Sequence, residues 1–176
     1  MLFSSIPQNE EARLAALHSL NILDTQPDLR FDCITRFVAQ KFEVPICFIG
    51  LIDIKRQWFK SAYGIDVKEV SRDISICAHA ICEITHNDPG GRVYEVCDTF
   101  EDSRLFDSPL VVNEPFVRSS LSFVLQSESQ MNIGTLCMLD ARPRKFNNNE
   151  IDMFIELGSM AEDLVNGRNV SSKIAS

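Results

Sequence analysis

Apolar residues recur at helical spacing in two stretches near the start of the chain. The first covers residues 9–23, where Asn9 is a candidate N-cap and the two glutamates after it suit the positive end of a helix dipole. The second covers residues 29–42, after a polar interruption. The side chains that we expect to face the core from these two helices are Ala12, Ala16, Leu17, Leu20, Leu23, Phe31, Ile34, Phe37, Val38 and Phe42.

A third helix is predicted near the C-terminus. Asn147 and Glu150 have the spacing of a capping box, which is typical of a helix start. Helical spacing of apolar residues then continues as far as Val165, and the tail after it is polar and is expected to fray. The core-facing residues that this spacing predicts are Ile151, Phe154, Ile155, Ala161, Leu164 and Val165.

Five stretches favour β-strands. Residues 45–53 are apolar at almost every position, which is typical of a strand covered on both faces. Residues 57–64 follow after a short polar turn and predict its hairpin partner. Residues 91–98 predict a third strand, and residues 116–127 and 131–140 predict a further pair joined by a polar turn.

Helices at both ends with hairpins between them predict an α+β fold, in which helices pack on an antiparallel sheet. The length of 176 residues suits a single core, and the chain shows neither internal repeats nor a long linker. We therefore expect an N-terminal extension over residues 1–9, one domain over residues 10–166 and a polar tail over residues 167–176.

Composition narrows the possible partners. The net charge of −8 argues against DNA, RNA or an anionic membrane as the main partner. No apolar stretch approaches the length of about 18 residues that a membrane span needs, and the N-terminus lacks the basic region of a signal peptide. The six cysteines show no paired CxxC spacing, which predicts free thiols in a reducing cytoplasm.

Common enzyme signatures are missing from the sequence. It contains no GxGxxG or GxxxxGK[ST] loop for phosphates and no HExxH, GxSxG or kinase catalytic loop. This favours a non-catalytic domain, although it leaves an enzyme open.

Four short motifs carry a family resemblance. They are RQWFKSAYG at 56–64, CAHAI at 77–81, SPLV at 108–111 and GTLCMLD at 134–140. In this order and spacing, from about residue 10 to residue 165, the chain resembles the GAF domains of bacterial signalling proteins. The resemblance implies a six-stranded antiparallel sheet with the N- and C-terminal helices on one face and a small-molecule pocket on the other.

The resemblance also implies a role in signalling. GAF pockets hold cyclic nucleotides, bilins, haem or small anions, and GAF domains usually accompany kinases, cyclases or phosphodiesterases. Because no output domain is evident here, the chain looks like a free-standing cytoplasmic sensor that acts through helices in a homodimer or through a separate signalling output protein. Residues 119–126 depart from the family pattern, so the ligand and any cofactor stay unknown, and no bilin-attaching cysteine context is recognisable.

The stretch RDISICAHAI, residues 72–81, offers three interpretations. Cys77 and His79 would lie about 200° apart on a helix, so they cannot converge on one metal ion. His79, Cys82 and His86 would share one face, but the helix should end near His86 and no fourth ligand is evident. The sequence therefore predicts no metal site.

The second interpretation is thiol chemistry. Cys77 lies near Arg72 and a predicted helix start, both of which favour a thiolate. A thiol-dependent reductase using Cys77 or Cys82, of the kind that reduces free methionine sulfoxide on a GAF fold, is thus an alternative. The favoured interpretation is a helix capped by Asp73 or Ser75 that lines a pocket and could hold an anion at its N-terminus.

Other side chains have two interpretations each. Trp58 and Phe59 could stack on a planar ligand or pack in the core. Arg118 could contact an anion or pair with a nearby acid, and residues 102–111 could form an ordered loop or a lid. The candidate ligand-binding residues are Trp58, Phe59, Ser75, Cys77, His79, Phe106, Asp107, Leu110 and Arg118. A third functional hypothesis is a protein-interaction module whose pocket is degenerate.

Overall fold

The computed structural model describes residues 6–84 and 91–168. The helices are α1 (Glu10–Ser19), α2 (Leu29–Phe42), α3 (Ile76–Glu83), α4 (Pro109–Val112) and α5 (Asn148–Val165), with a 3-10 turn at Arg72–Ile74. The strands are β1 (Ile46–Ile52), β2 (Arg56–Tyr63), β3 (Glu69–Ser71), β4 (Val93–Val96), β5 (Ser119–Gln126) and β6 (Asn132–Asp140).

The strands form one antiparallel sheet in the order β3-β2-β1-β6-β5-β4. The expected six-stranded sheet is confirmed. The hydrophobic pattern alone predicted five strands and missed β3, because β3 is three residues long and only its central residue is partly buried.

The sheet has a core on each face. Leu17 of α1 and Phe154 of α5 pack with α2 on one face, so the N- and C-terminal helices share a face as expected. α3 packs on the opposite face, over β1, β5 and β6. Successive strand residues alternate between the two cores, as the pleat of a strand requires.

α2 begins and ends where the sequence predicted. Asp28 caps it by accepting a hydrogen bond from the backbone N–H of Arg30. The expectation that Phe37 faces the core was wrong, since its side chain is 49% exposed on the outer face of the helix.

α1 buries a different stripe from the predicted one. Ala12 is exposed and Ala16 is only partly buried, whereas Arg13 and Leu17 are buried. Arg13 is tolerated there because it donates to the carbonyl oxygen of Ile52 at 2.7 Å and pairs with Glu10. Asn9 occupies the N-cap position, but its side chain makes no capping hydrogen bond.

α5 starts with the predicted capping box. Asn147 Oδ1 accepts from the Glu150 N–H at 3.0 Å, and Glu150 Oε2 accepts from the Asn147 N–H at 2.9 Å. The predicted core-facing residues of this helix are buried or partly buried. Across residues 6–84 and 91–168, no helix combines the length and the apolar composition needed to cross a bilayer.

Candidate functional site

A cavity of about 340 Å³ lies on the sheet face opposite α1, α2 and α5. The strands β1, β2 and β6 form its floor, α3 forms one wall, and residues 65–70 and 110–115 enclose the remainder. The lining residues are Ile46, Phe48, Gln57, Phe59, Ile65, Asp66, Val67, Val70, Ile76, Cys77, Leu110, Glu114, Pro115 and Leu139.

The lining is mainly aliphatic and aromatic. The Phe48 and Phe59 rings lie with their centroids 4.7 Å apart on the floor. The two charged lining residues, Asp66 and Glu114, are both acidic and exposed, and no Lys, Arg or His among the described residues lines the cavity. The site is therefore suited to an apolar group that is neutral or cationic, and it disfavours an anion.

Ser75 positions the wall and the floor together. Its side-chain oxygen accepts from the Ala78 N–H at 3.1 Å, which caps α3, and it donates to Gln57 Oε1 at 2.6 Å. The expected cap at the start of this helix is thus Ser75, while Asp73 lies in the preceding 3-10 turn. Gln57 lies over Gly50, where a Cβ atom would approach the Gln57 amide nitrogen to 2.4 Å.

Cys77 is the second residue of α3 and borders the cavity. Burial raises the pKa of the Cys77 thiol, but hydrogen-bond donors at Cys137, Thr135, Gln57 and Ser122 together lower that pKa below its ordinary value. Cys47 is equally buried on the helix side of the sheet, and there burial raises the thiol pKa. The donors around Cys77 account for the difference.

Three of the predicted site residues meet at the cavity. Phe59, Cys77 and Leu110 line it. Ser75 does not line it but orients Gln57, which does.

Other predicted residues lie away from the cavity. Trp58 points to the opposite face of the sheet and packs in the helix-side core, so core packing describes it. His79 is buried within α3 but does not line the cavity. Phe106 is 50% exposed and Asp107 is also exposed, and neither lines the cavity.

Arg118 lies in an ion pair outside the cavity. Its guanidinium donates to Asp98 Oδ2 at 2.7 Å and to Asp98 Oδ1 at 2.9 Å. The same group lies 4.0 Å from the centre of the Phe100 ring. Of the two interpretations that the sequence offered for Arg118, pairing with a nearby acid describes its surroundings.

Several lining residues were not predicted. Gln57, Phe48 and Leu139 belong to strands whose hydrophobic pattern shows burial on both faces, so the sequence does not show which face holds a cavity. Val70 is the central residue of the short strand β3 that the pattern missed, and Ile65 precedes that strand.

The metal interpretation gains no support from the described part of the chain. Within it, no group of three or more His, Cys, Asp or Glu side chains is arranged to hold a metal ion. His86, the third member of the His79 and Cys82 stripe, lies outside the described residues.

Comparison with known proteins gives the fold. No profile of a known protein family matches the chain. A cyclic di-GMP phosphodiesterase of Pseudomonas aeruginosa is 34% identical over 138 residues, which are 78% of this chain and 22% of that protein. The chain thus spans about a fifth of the length of this relative.

Two solved structures are similar over nearly their whole length. The GAF domain of the Acinetobacter phosphoenolpyruvate-protein phosphotransferase has a TM-score of 0.60 and 16% identity, covering 89% of this chain and 93% of that one. The free methionine-R-sulfoxide reductase of Neisseria meningitidis, solved with its substrate, has a TM-score of 0.59 and 15% identity, covering 95% and 97%. The chain has the GAF-domain fold.

Proposed function

We propose that this chain is a cytoplasmic regulatory domain of bacterial signal transduction that binds a small molecule and does not itself catalyse a reaction. The observation that carries the proposal is the apolar cavity of about 340 Å³ on the sheet face opposite the helices. The fold supports it, because a domain of a Sinorhizobium meliloti two-component sensor histidine kinase has a similar fold. The phosphodiesterase activity of the Pseudomonas relative is not part of the proposal, since the chain matches only 22% of that protein.

The lining supports a ligand class. A cavity of about 340 Å³ is at the small end of the range of about 300–1,000 Å³ for ligand sites. Its aromatic and aliphatic walls suit an apolar body, and the acidic Asp66 and Glu114 disfavour a phosphate or carboxylate. We infer a small, largely apolar ligand that is neutral or cationic, and we expect cyclic nucleotides to be rejected.

A route for the signal runs through the sheet. Phe48 and Phe59 touch the cavity, while Ile49 and Trp58 beside them in sequence pack in the helix-side core. A ligand that moves β1 and β2 therefore changes the packing under α2 and α5. We propose that these helices pass the change to a second copy in a homodimer or to a separate output protein, and light scattering of the purified chain tests the dimer.

Ligand-dependent stabilisation tests the proposal. Native mass spectrometry of the freshly purified chain reports any co-purifying molecule, and thermal unfolding with indole, benzylamine and cyclic GMP probes the ligand class. A ligand at 100 times its Kd should stabilise the fold by about 2.7 kcal/mol. We expect stabilisation by a neutral or cationic apolar probe and none by cyclic GMP.

Two variants in the segment 106–110, which leads into α4, sharpen this test. Leu110→Trp fills the cavity and should abolish the stabilisation, whereas Phe106→Trp alters a half-exposed side chain outside it and should leave the stabilisation intact. If no probe stabilises the protein and no molecule co-purifies, the protein-interaction hypothesis replaces ligand sensing.

One observation favours a second candidate function. The likeness to a free methionine-R-sulfoxide reductase, together with a cysteine at the cavity wall, keeps a thiol-dependent reductase open. That candidate requires turnover of free methionine sulfoxide with a thiol reductant, and Cys77→Ser would abolish the turnover. An inactive unmodified protein removes the candidate.

A further inference from the structure

Two buried thiols meet where α3 packs on the sheet. Cys77 of α3 is 1% exposed and Cys137 of β6 is 0% exposed. Their side chains lie in the same apolar cluster, and each thiol is close enough to shift the pKa of the other. Cys77 also lines the cavity, so a small molecule bound there would lie against this residue.

Three buried polar groups surround this sulfur. Ser122 Oγ, Thr135 Oγ1 and Gln57 Nε2 are buried without a hydrogen-bond partner among the described residues, and these three side chains lie close enough to Cys77 to lower the pKa of its thiol. A neutral thiol is a weak acceptor, whereas a thiolate accepts strongly and would satisfy these donors. The arrangement therefore stabilises the thiolate form of Cys77.

The helix adds to this effect. Cys77 is the second residue after the Ser75 cap of the eight-residue α3, where the free N–H groups and the helix dipole favour a negative charge. Burial alone raises the pKa of Cys47, while at Cys77 the donors outweigh burial and lower the pKa. The cysteine that borders the cavity is thus also the one whose surroundings favour ionisation.

We propose that Cys77 and Cys137 are an oxidation site for a small apolar hydroperoxide that enters the cavity. The Cys77 thiolate attacks the terminal peroxide oxygen. A sulfur–oxygen bond forms, the oxygen–oxygen bond breaks, and the leaving alkoxide takes up the proton that Cys77 released. The products are a sulfenic acid at Cys77 and an alcohol.

Cys137 completes the reaction. Its sulfur attacks the Cys77 sulfur, a disulfide forms, and the sulfur–oxygen bond breaks as hydroxide leaves with the Cys137 proton as water. The two thiols lose two electrons and two protons, and the hydroperoxide is reduced to alcohol and water. This chemistry needs only that the cavity admits the peroxide, so it does not depend on the sensory role.

Oxidation of the reduced 176-residue chain with tert-butyl hydroperoxide tests the proposal. After free thiols are blocked with N-ethylmaleimide, peptide mass spectrometry should find a Cys77–Cys137 disulfide. In Cys137→Ser, dimedone should trap a sulfenic acid at Cys77. Cys47→Ser, which removes a buried thiol from the other face of the sheet, should form the disulfide as the unmodified chain does.

Access through the cavity is tested separately. Leu110→Trp should slow oxidation by tert-butyl hydroperoxide at least several-fold and slow oxidation by the smaller hydrogen peroxide less, because the new side chain blocks the cavity. The mapping on the unmodified chain needs no variant, so a misfolded mutant leaves it valid. Oxidation of Cys33, Cys82 or Cys97 while Cys77 stays reduced would overturn the proposal.

Discussion

Glu10 is the carboxylate to which two buried arginines, Arg13 and Arg72, both donate. It accepts from Arg13 Nε at 2.8 Å and from Arg72 Nη1 at 2.5 Å. The same two arginines donate to the carbonyl oxygens of Ile52 and Asp53 at the end of β1. Burial raises the pKa of Glu10, but the two arginines lower it by more. The pKa therefore falls from its ordinary value of 4.5 to about 2.

Replacing this carboxylate should be costly. Glu10→Gln leaves two buried guanidinium groups without their counter-charge, which should lower the free energy of unfolding at pH 7 by about 2–3 kcal/mol, a little less than for a fully buried pair. Urea unfolding at pH 7 measures this. Glu11→Gln, which changes the exposed neighbouring glutamate, should alter stability little, and equal losses in the two variants would contradict the role of Glu10.

The stability difference between the unmodified chain and Glu10→Gln should depend on pH. Because the pKa of Glu10 is lower in the folded than in the unfolded chain, its contribution is complete above about pH 4.5 and is lost as the pH falls from there to about 2. The stability difference between the unmodified chain and Glu10→Gln should therefore shrink over this window. A difference that stays constant down to pH 2 would show that the carboxylate is not the cause.

For single residues, the prediction of which side chains are buried failed where a polar side chain hydrogen-bonds to a residue distant in sequence. Helical spacing placed Ala12 and Ala16 inward and gave no reason to bury Arg13. The guanidinium is buried because the Ile52 carbonyl, 39 residues away, lies within its reach. Trp58 and Phe59 show a second limit of the sequence. The alternation of side chains along a strand predicts that these two residues face opposite sides of the sheet, but it does not show which side holds the cavity.

Among the elements, the start of α5 is capped by one of three consecutive asparagines, residues 147–149. Only Asn147 caps the helix, and Asn149 is an exposed residue of its first turn. Asn147→Ala should therefore destabilise the fold by about 1 kcal/mol. Asn149→Ala should be neutral or slightly stabilising, because alanine has the higher helix propensity. Urea titration of both variants checks the opposite signs, and a larger loss at Asn149 would reject the cap.

Elements with strong local signals were predicted almost completely. α2 and α5 carry their own caps and periodic apolar faces, so their bounds follow from neighbouring residues. β3 has no such signal, because it forms only by pairing with β2. The edge of the cavity that residues 65–70 form depends on this pairing, so Ile65 and Val70 were missed. Phe59 and Cys77, which lie within family-like motifs, were found.

For the whole molecule, one sheet carries both cores. Met138 packs toward the helices, and Leu139 beside it packs toward α3 and the cavity. Neither core can persist once the central strands separate, because β1, β2, β5 and β6 each contribute side chains to both cores. The expected single domain over residues 10–166 therefore becomes a prediction about cooperativity.

Both faces should unfold in one transition. Trp58, the single tryptophan, reports on the helix-side core through its fluorescence, and maleimide labelling of Cys77 and Cys137 reports on the cavity side. The two signals should share one urea midpoint in the reduced protein. Leu139→Ala, on the cavity side, should lower both midpoints together. Loss of a buried leucine side chain lowers the free energy of unfolding by about 2–5 kcal/mol, and in a cooperative domain both signals report this loss. Labelling at a lower urea concentration than the fluorescence change would instead show that α3 detaches first. The cavity side would then unfold separately, while the sheet and the helix-side core stay folded.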